Sequence, residues 1–184
     1  MKKALLIIDI QNDYFEGGTH TLVKADEAGQ NAKQVLQWFR AQHIPVVHIQ
    51  HIAANEGADF FLPNTPGANI HAYVSPLANE KIIIKNYPNS FRETALLDHL
   101  KENGITDLVI CGMMTDVCVD ATVRAAMDLG FVTTVIGDAC ATRNRELYGK
   151  NIDAEEISNA YLAGMTALGG LYANVMTTTE FIKN

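Results

Sequence analysis

A chain of 184 residues, 48% hydrophobic and 19% charged, is long enough to bury a sizeable core and too short for two comfortable domains. A net charge of −7 with no basic run excludes a nucleic-acid or anionic-membrane surface built on electrostatics. Three cysteines without CxxC spacing argue against a disulfide framework or zinc ribbon, and for a soluble protein of a reducing, cytoplasmic compartment.

The opening MKKALLIIDIQNDY begins like a signal peptide, but its apolar stretch reaches only to Asp9, short of a secretory core and shorter still than a membrane span. It is instead a strand over 4–10. A helical pattern follows at 26–43, then a strand at 45–51. Residues 52–80, with Pro63, Pro66 and Pro76, carry no regular period and are too long for an ordinary connection, which predicts a lid or an interface. Beyond them strands are expected at 81–86, 107–113, 132–140 and 172–178, separated by helical patterns at 90–104, 118–130 and 154–170. Gly104, Gly130 and Gly169 stand where helix ends call for a left-handed residue. Consecutive Val and Ile in four of the strands mark burial on both faces. Repeated β–α–β alternation therefore predicts one α/β domain over 1–184, a three-layer sandwich around a mostly parallel, doubly wound six-stranded sheet.

In such sheets, ligands bind outside the carboxyl ends of the strands. Three strands bring reactive groups there: Asp9 after the first, Lys85 at the end of the third, and Cys118 beyond the fourth in GMMTDVCVDAT. A cysteine attacks as thiolate, so the start of a helix and a neighbouring ammonium would both favour ionisation. Asp9 would accept the thiol proton, and backbone N–H groups of the GMMTDVC turn would stabilise the oxyanion formed on an amide carbonyl. Cys111, inside LVICGM, reads as core, and Cys140, in DACATR, as structural. Gln11 would leave the first strand on the side of Asp9 and hydrogen-bond a ligand, while Tyr14, Phe91 and Met113 would offer it an apolar wall, although all three are ordinary core residue types.

Five segments together resemble the isochorismatase-like cysteine hydrolase superfamily, which includes nicotinamidases and N-carbamoylsarcosine amidohydrolases. These are LLIIDIQNDY, TPGANIH, IIIKNYPNSF, GMMTDVCVDATVRAAMDLGF and VIGDACATR, in the family's order and across essentially the whole chain. The resemblance implies a triad of Asp9, Lys85 and Cys118, a cis peptide between Met113 and Met114, and an oxyanion hole of the Met114 and Cys118 N–H groups. It also implies a homodimer or homotetramer acting on a small amide-type substrate. Because Cys118 is present, the expected reaction is covalent C–N hydrolysis of an amide, carbamoyl or ureido group. Nicotinamidases typically carry a metal on an Asp-x-His pair after the second strand, where this chain reads HIQHIAANEG. His48 and His51 would point to opposite faces of a strand, so no metal is expected on His48, His51 and His71, and no cofactor is required. Two other classes fit less of the pattern. A nucleotide- or flavin-binding module would need glycines directly after the first strand, where only Gly17 and Gly18 follow late, and a thiol redox protein would need a resolving partner such as Cys140.

Overall fold

The computed structural model describes residues 2–183. Its main sheet has six strands, all parallel, in the order β3-β2-β1-β4-β5-β8. In chain order the elements are β1 (Lys3–Ile8), α1 (Ala25–Ala41), β2 (Val46–His51), β3 (Lys81–Lys85), α2 (Leu96–Glu102), β4 (Asp107–Met113), α3 (Asp120–Asp128), β5 (Val132–Ala141), the hairpin β6 (Arg145–Leu147) and β7 (Lys150–Ile152), α4 (Ala154–Met165), the short α5 (Ala167–Gly170), β8 (Asn174–Met176) and α6 (Thr178–Lys183).

Alternate residues of the central strands feed two separate cores, which is what makes three layers. Leu5 and Ile7 of β1, with Val109 and Cys111 of β4, pack on one face against Ala32, Val35, Leu36 and Phe39 of α1 and Phe181 of α6. Leu6 and Ile8, with Leu108 and Ile110, pack on the other face against Leu96 and Leu100 of α2, Val123 and Ala126 of α3, and Met165 of α4. The period-2 alternation of strands and the 3.6-residue period of helices fix these assignments. Strand order reverses between β1 and β4, so the crevice expected of a doubly wound sheet opens beyond Ile8 and Met113.

Three local expectations are corrected. The helix foreseen over 90–104 begins only at Leu96. Before it, the Ser90 N–H donates to Thr122 Oγ1 at 3.0 Å, Thr94 Oγ1 donates to the Ser90 carbonyl at 2.6 Å, and Glu93 takes a left-handed φ of 55°, so side-chain bonds compete with the helix. Gly104 and Gly130 do follow their helices with φ of 64° and 89°, but α4 ends at Met165, and Gly169 lies inside a separate turn in which Leu168 is left-handed as well. The hairpin at 145–152 was not foreseen; its tight turn places both Tyr148 and Gly149 at positive φ.

The long 52–80 segment is fastened at the crevice rather than free above it. Asp13 Oδ2 accepts the Phe61 N–H at 2.6 Å, Asn12 Nδ2 donates to the Pro66 carbonyl at 2.8 Å, and Gln11 Nε2 donates to the Ala68 carbonyl at 2.8 Å. Asp13 lies so close to the backbone at Gly67 that a Cβ there would meet its Oδ1 at 2.0 Å.

Candidate active site

Asp9 directly follows the apolar run of β1, and its φ of 50° turns the backbone out of the strand, an unusual conformation for a residue that is not glycine and one that gathers at functional sites. Lys85 ends β3, two strands away from β1, and its long side chain reaches back over β2. Beyond β4 the chain passes through a cis Met113–Met114 peptide into a π turn, Thr115–Val119, which leads into α3 and carries Cys118. At Gly112, with φ of 143°, β4 comes so near β1 that a Cβ would stand 2.1 Å from the Ile8 carbonyl oxygen; only glycine lets the two strands meet at the residue before Asp9.

The three side chains converge as the sequence predicts. Lys85 Nζ lies 2.7 Å from Asp9 Oδ2 with both side chains fully buried, and it donates to Cys118 Sγ at 3.2 Å. It also donates to the Tyr87 carbonyl at 3.1 Å and lies 3.1 Å from His51 Nδ1. The ammonium has three protons and no lone pair, so Nδ1 is the acceptor and His51 carries its proton on Nε2. Asp9 is paired by proximity of charge more than by hydrogen bonding, since among the described residues neither of its oxygens has a well-directed donor.

His51 is the residue that sequence reading missed. Weighed there only as a metal ligand and set aside, it is the register partner of Lys85 and stands in the cluster. Its own backbone is clamped on both sides by one side chain: the His51 N–H donates to Gln11 Oε1 at 2.8 Å, and Gln11 Nε2 donates to the His51 carbonyl at 2.9 Å. Gln11 is therefore fully spent on backbone groups of His51 and Ala68, not held out toward a ligand. His48 points away from the cluster, to Glu80 Oε2 at 2.9 Å, and His71 stacks on Phe15, so neither joins His51.

Of the expected apolar wall, Tyr14 packs on Phe61 with ring centroids 4.6 Å apart and Met113 is wholly buried beside the cis peptide. Phe91 is not part of it; it stacks on Phe131, which precedes β5 at the far end of the sheet. The turn that carries Cys118 has a brace of its own. Asp116 accepts from Arg145 Nε at 3.0 Å and from the hydroxyl of Thr142, tying the turn to the 145–152 hairpin.

Electrostatics set the resting state, and it differs from the sequence expectation. Burial, followed by the Asp9 charge, pushes the Cys118 thiol well up, and Lys85 offsets only part of that. Burial alone would pull Lys85 down, but Asp9 and Cys118 carry it above its ordinary value, so it stays an ammonium. His51 is lowered, chiefly by burial, and stays neutral. The cluster at rest is thus a thiol beside an ion pair, and a thiolate appears only when a proton leaves Cys118. Cys111 and Cys140 are also pushed up by burial, Cys140 to about 12, and Cys140 donates to the Ile136 carbonyl at 3.4 Å.

Asp9, His51 and Cys118 offer a metal-type donor set, with ligand atoms all within 4.8 Å of one another. The Lys85 ammonium already stands among all three, at 2.7, 3.1 and 3.2 Å. A divalent ion there would meet a fixed positive charge, so these residues do not fit a metal.

A family model described as the Isochorismatase domain matches residues 3–176. The isochorismatase family protein YddQ of Bacillus subtilis is 48% identical over 183 residues, covering the full length of both chains. A streptothricin hydrolase of Streptomyces noursei is 34% identical over 76% of this chain and 54% of its own. A crystal structure from Oleispira antarctica, described as an isochorismatase hydrolase, superposes with a TM-score of 0.94 at 40% identity, covering 100% of this chain and 97% of that one.

Proposed function

The chain belongs to the isochorismatase family, and from that premise we propose that it is a cysteine hydrolase cleaving a C–N bond of a small amide, carbamoyl or ureido compound through a thioester on Cys118. The observation that carries this reading is a single buried ammonium in contact with both a carboxylate and a thiol at the carboxyl edge of the sheet.

The chemistry follows from the positions. Asp9 takes the Cys118 proton as substrate approaches, and Lys85 balances the negative charge that has moved to sulfur. Sγ attacks the carbonyl carbon, and the oxygen becomes an oxyanion. Its donors are the N–H groups of Met114 and Cys118. The local winding favours the second of these: the Met114 carbonyl accepts from Val117 at 3.1 Å and from Val119 at 3.2 Å, passing over the Cys118 N–H that lies between them. Collapse of the tetrahedral species breaks the C–N bond, and the leaving amine takes the proton held on Asp9. Asp9 then deprotonates a water, which hydrolyses the thioester and returns the proton to sulfur.

Cys118 is 5% exposed, and the 52–80 segment is fastened beside it, which favours a small substrate. The name of the Streptomyces noursei relative, a streptothricin hydrolase, supports hydrolysis and leaves the acyl group open. The test is ammonia or amine release from a panel of primary amides, carbamoyl and ureido compounds, with wild type beside Cys118→Ala. Release by wild type that falls to background in the variant is expected; equal release by both would remove Cys118 from the mechanism.

A further inference from the structure

Tyr14 is 1% exposed, and its ring packs against two others, with centroids 4.6 Å from Phe61 and 5.9 Å from Phe60. Its backbone is fixed as well: the Tyr14 N–H donates to the Gln11 carbonyl at 3.1 Å, and its carbonyl accepts from the Leu22 N–H at 3.0 Å. The hydroxyl, by contrast, makes no hydrogen bond among the described residues. Buried tyrosine hydroxyls ordinarily find a partner, and a buried donor left unpaired is destabilising.

The surroundings of that hydroxyl are those of the site. Apart from burial, what acts on it is, in order, Cys118, Asp9, Arg145 and Asp116. Two of these belong to the cluster around Lys85, and the other two form the brace of the turn that carries Cys118. Phe61, on which the Tyr14 ring packs, is also 5.9 Å from the ring of His51, which adjoins Lys85. Burial, then Cys118 and Asp9, push the phenol well above its ordinary value, so it keeps its proton and serves as a donor.

Resting on the cysteine-hydrolase reading, we infer that the Tyr14 hydroxyl is the hydrogen-bond donor to the acyl group carried on Cys118, and that the substrates are amides with an oxygen acceptor on the atom next to the scissile carbon. In that reading the oxyanion has its own donors in the Met114 and Cys118 N–H groups, and Asp9 supplies the proton to the leaving amine. The acyl group stays on sulfur after the amine has gone, so a fixed donor near Cys118 meets that part of the substrate. Packing on Phe60 and Phe61 holds the ring in place before substrate arrives. A site with a buried donor of this kind discriminates against an acyl group that leaves it unpaired, which makes Tyr14 a specificity-determining residue.

The test reads the sulfur without any substrate. Cys118 is alkylated with iodoacetamide, which leaves a carbonyl next to the carbon bonded to sulfur, and with iodoethane, which leaves a methyl group there. Wild type and Tyr14→Phe are compared, with Cys118→Ala subtracted for the other two cysteines. The ratio of the iodoacetamide rate to the iodoethane rate is expected to fall about five-fold in Tyr14→Phe, the effect of one lost hydrogen bond. Repacking of the wall changes both rates together and leaves their ratio alone, so an unchanged ratio overturns the inference. Urea unfolding supplies the second measurement. Removing a hydroxyl that has no partner in the fold is expected to keep or raise the midpoint; a lowered midpoint reveals a structural partner and overturns the inference as well. Amide turnover separates this role from the hydrolase reading. If the ratio falls while no amide is hydrolysed, the hydrolase reading fails and the contact with the group on sulfur stands. If amides are hydrolysed and the ratio is unchanged, the donor role fails alone. With both in place, Tyr14→Phe loses kcat/KM on 2-oxo and 2-hydroxy amides and spares their unsubstituted analogues; an equal loss on both overturns the substrate class.

Discussion

Replacing Lys85 by methionine tests the site as a piece of electrostatics, whatever its substrate. Methionine has nearly the volume of the lysine side chain, so packing changes little, while the charge and the hydrogen bonds to Tyr87, His51 and Cys118 are removed. Asp9 then keeps a carboxylate at zero exposure with no counter-ion and no well-directed donor among the described residues. Breaking a buried ion pair from one side typically costs about 3–5 kcal/mol, because the remaining charge has lost its water and its partner together. Domains have roughly 5–15 kcal/mol in total, so this one substitution removes a large share of the stability. With a urea m value of about 2 kcal/mol/M, the unfolding midpoint should fall by about 2 M. Trp38, the one tryptophan in the chain, packs on Phe39 and Phe181 in the α1–α6 core, so its fluorescence follows unfolding from a place remote from the substitution. The double variant Asp9→Asn/Lys85→Met neutralises both partners and should regain most of the loss, giving a large coupling energy in the cycle. A Lys85→Met midpoint within about 0.3 M of wild type, or strictly additive single and double variants, would refute the claim that the ammonium holds this cluster together.

Two further substitutions probe the scaffold on either side of the site. Burial works to raise the Glu80 carboxyl, but hydrogen bonds from Arg40, the Leu77 N–H and His48 more than reverse that and bring it from 4.5 to about 2. A depressed carboxyl contributes stability that is present above its unfolded value and lost as pH falls through the folded one, so Glu80→Gln should flatten the acid-unfolding curve between about pH 5 and 2 by about 2–3 kcal/mol; the check is urea unfolding at a series of pH values. Gly112→Ala should cost about 3 kcal/mol, because its Cβ collides with the Ile8 backbone, which cannot yield without parting β1 from β4; thermal unfolding measures it, and a stable variant would mean that the two strands can separate there without loss.

The cluster of Asp9, Lys85 and Cys118 was legible because Asp9 and Lys85 terminate apolar runs and Cys118 follows the fourth strand at the same edge. A strand buried on both faces has no reason to end in Asp9 or Lys85 unless the end matters, and the β–α–β order fixes which ends share an edge. Across-strand relations were not legible in the same way. His51 meets Lys85 because β2 and β3 run parallel in that register, and a one-residue slip would have sent the imidazole to the opposite face. Gln11 was read as a ligand contact from its place beside Asp9, yet its amide bridges to backbone 40 and 57 residues away, which no local pattern reveals. Phe91 failed for the same reason, since its partner Phe131 lies on a distant segment. The thiol was expected to be activated by a helix start. Instead the helix is preceded by a π turn and the sulfur is buried, and burial outweighs the single ammonium.

That last difference changes how the site must work. A thiolate standing permanently beside Asp9 would place two like charges against one ammonium in a region without water, an arrangement that low polarity makes expensive. The structure avoids this by keeping one negative charge at rest. In the proposed mechanism that charge lies on Asp9 while the thiol is protonated and shifts to sulfur when the proton passes to Asp9, with Lys85 in contact with both positions. The net charge of the cluster does not change during that transfer, so little reorganisation is required of surroundings that are packed and apolar. The same economy explains why Asp9, His51 and Cys118, a donor set compact enough for an ion, are held around an ammonium instead. A covalently tethered cation stands against the carboxylate and the sulfur alike, whereas an ion bound to the sulfur would hold back the lone pair that the proposed attack needs.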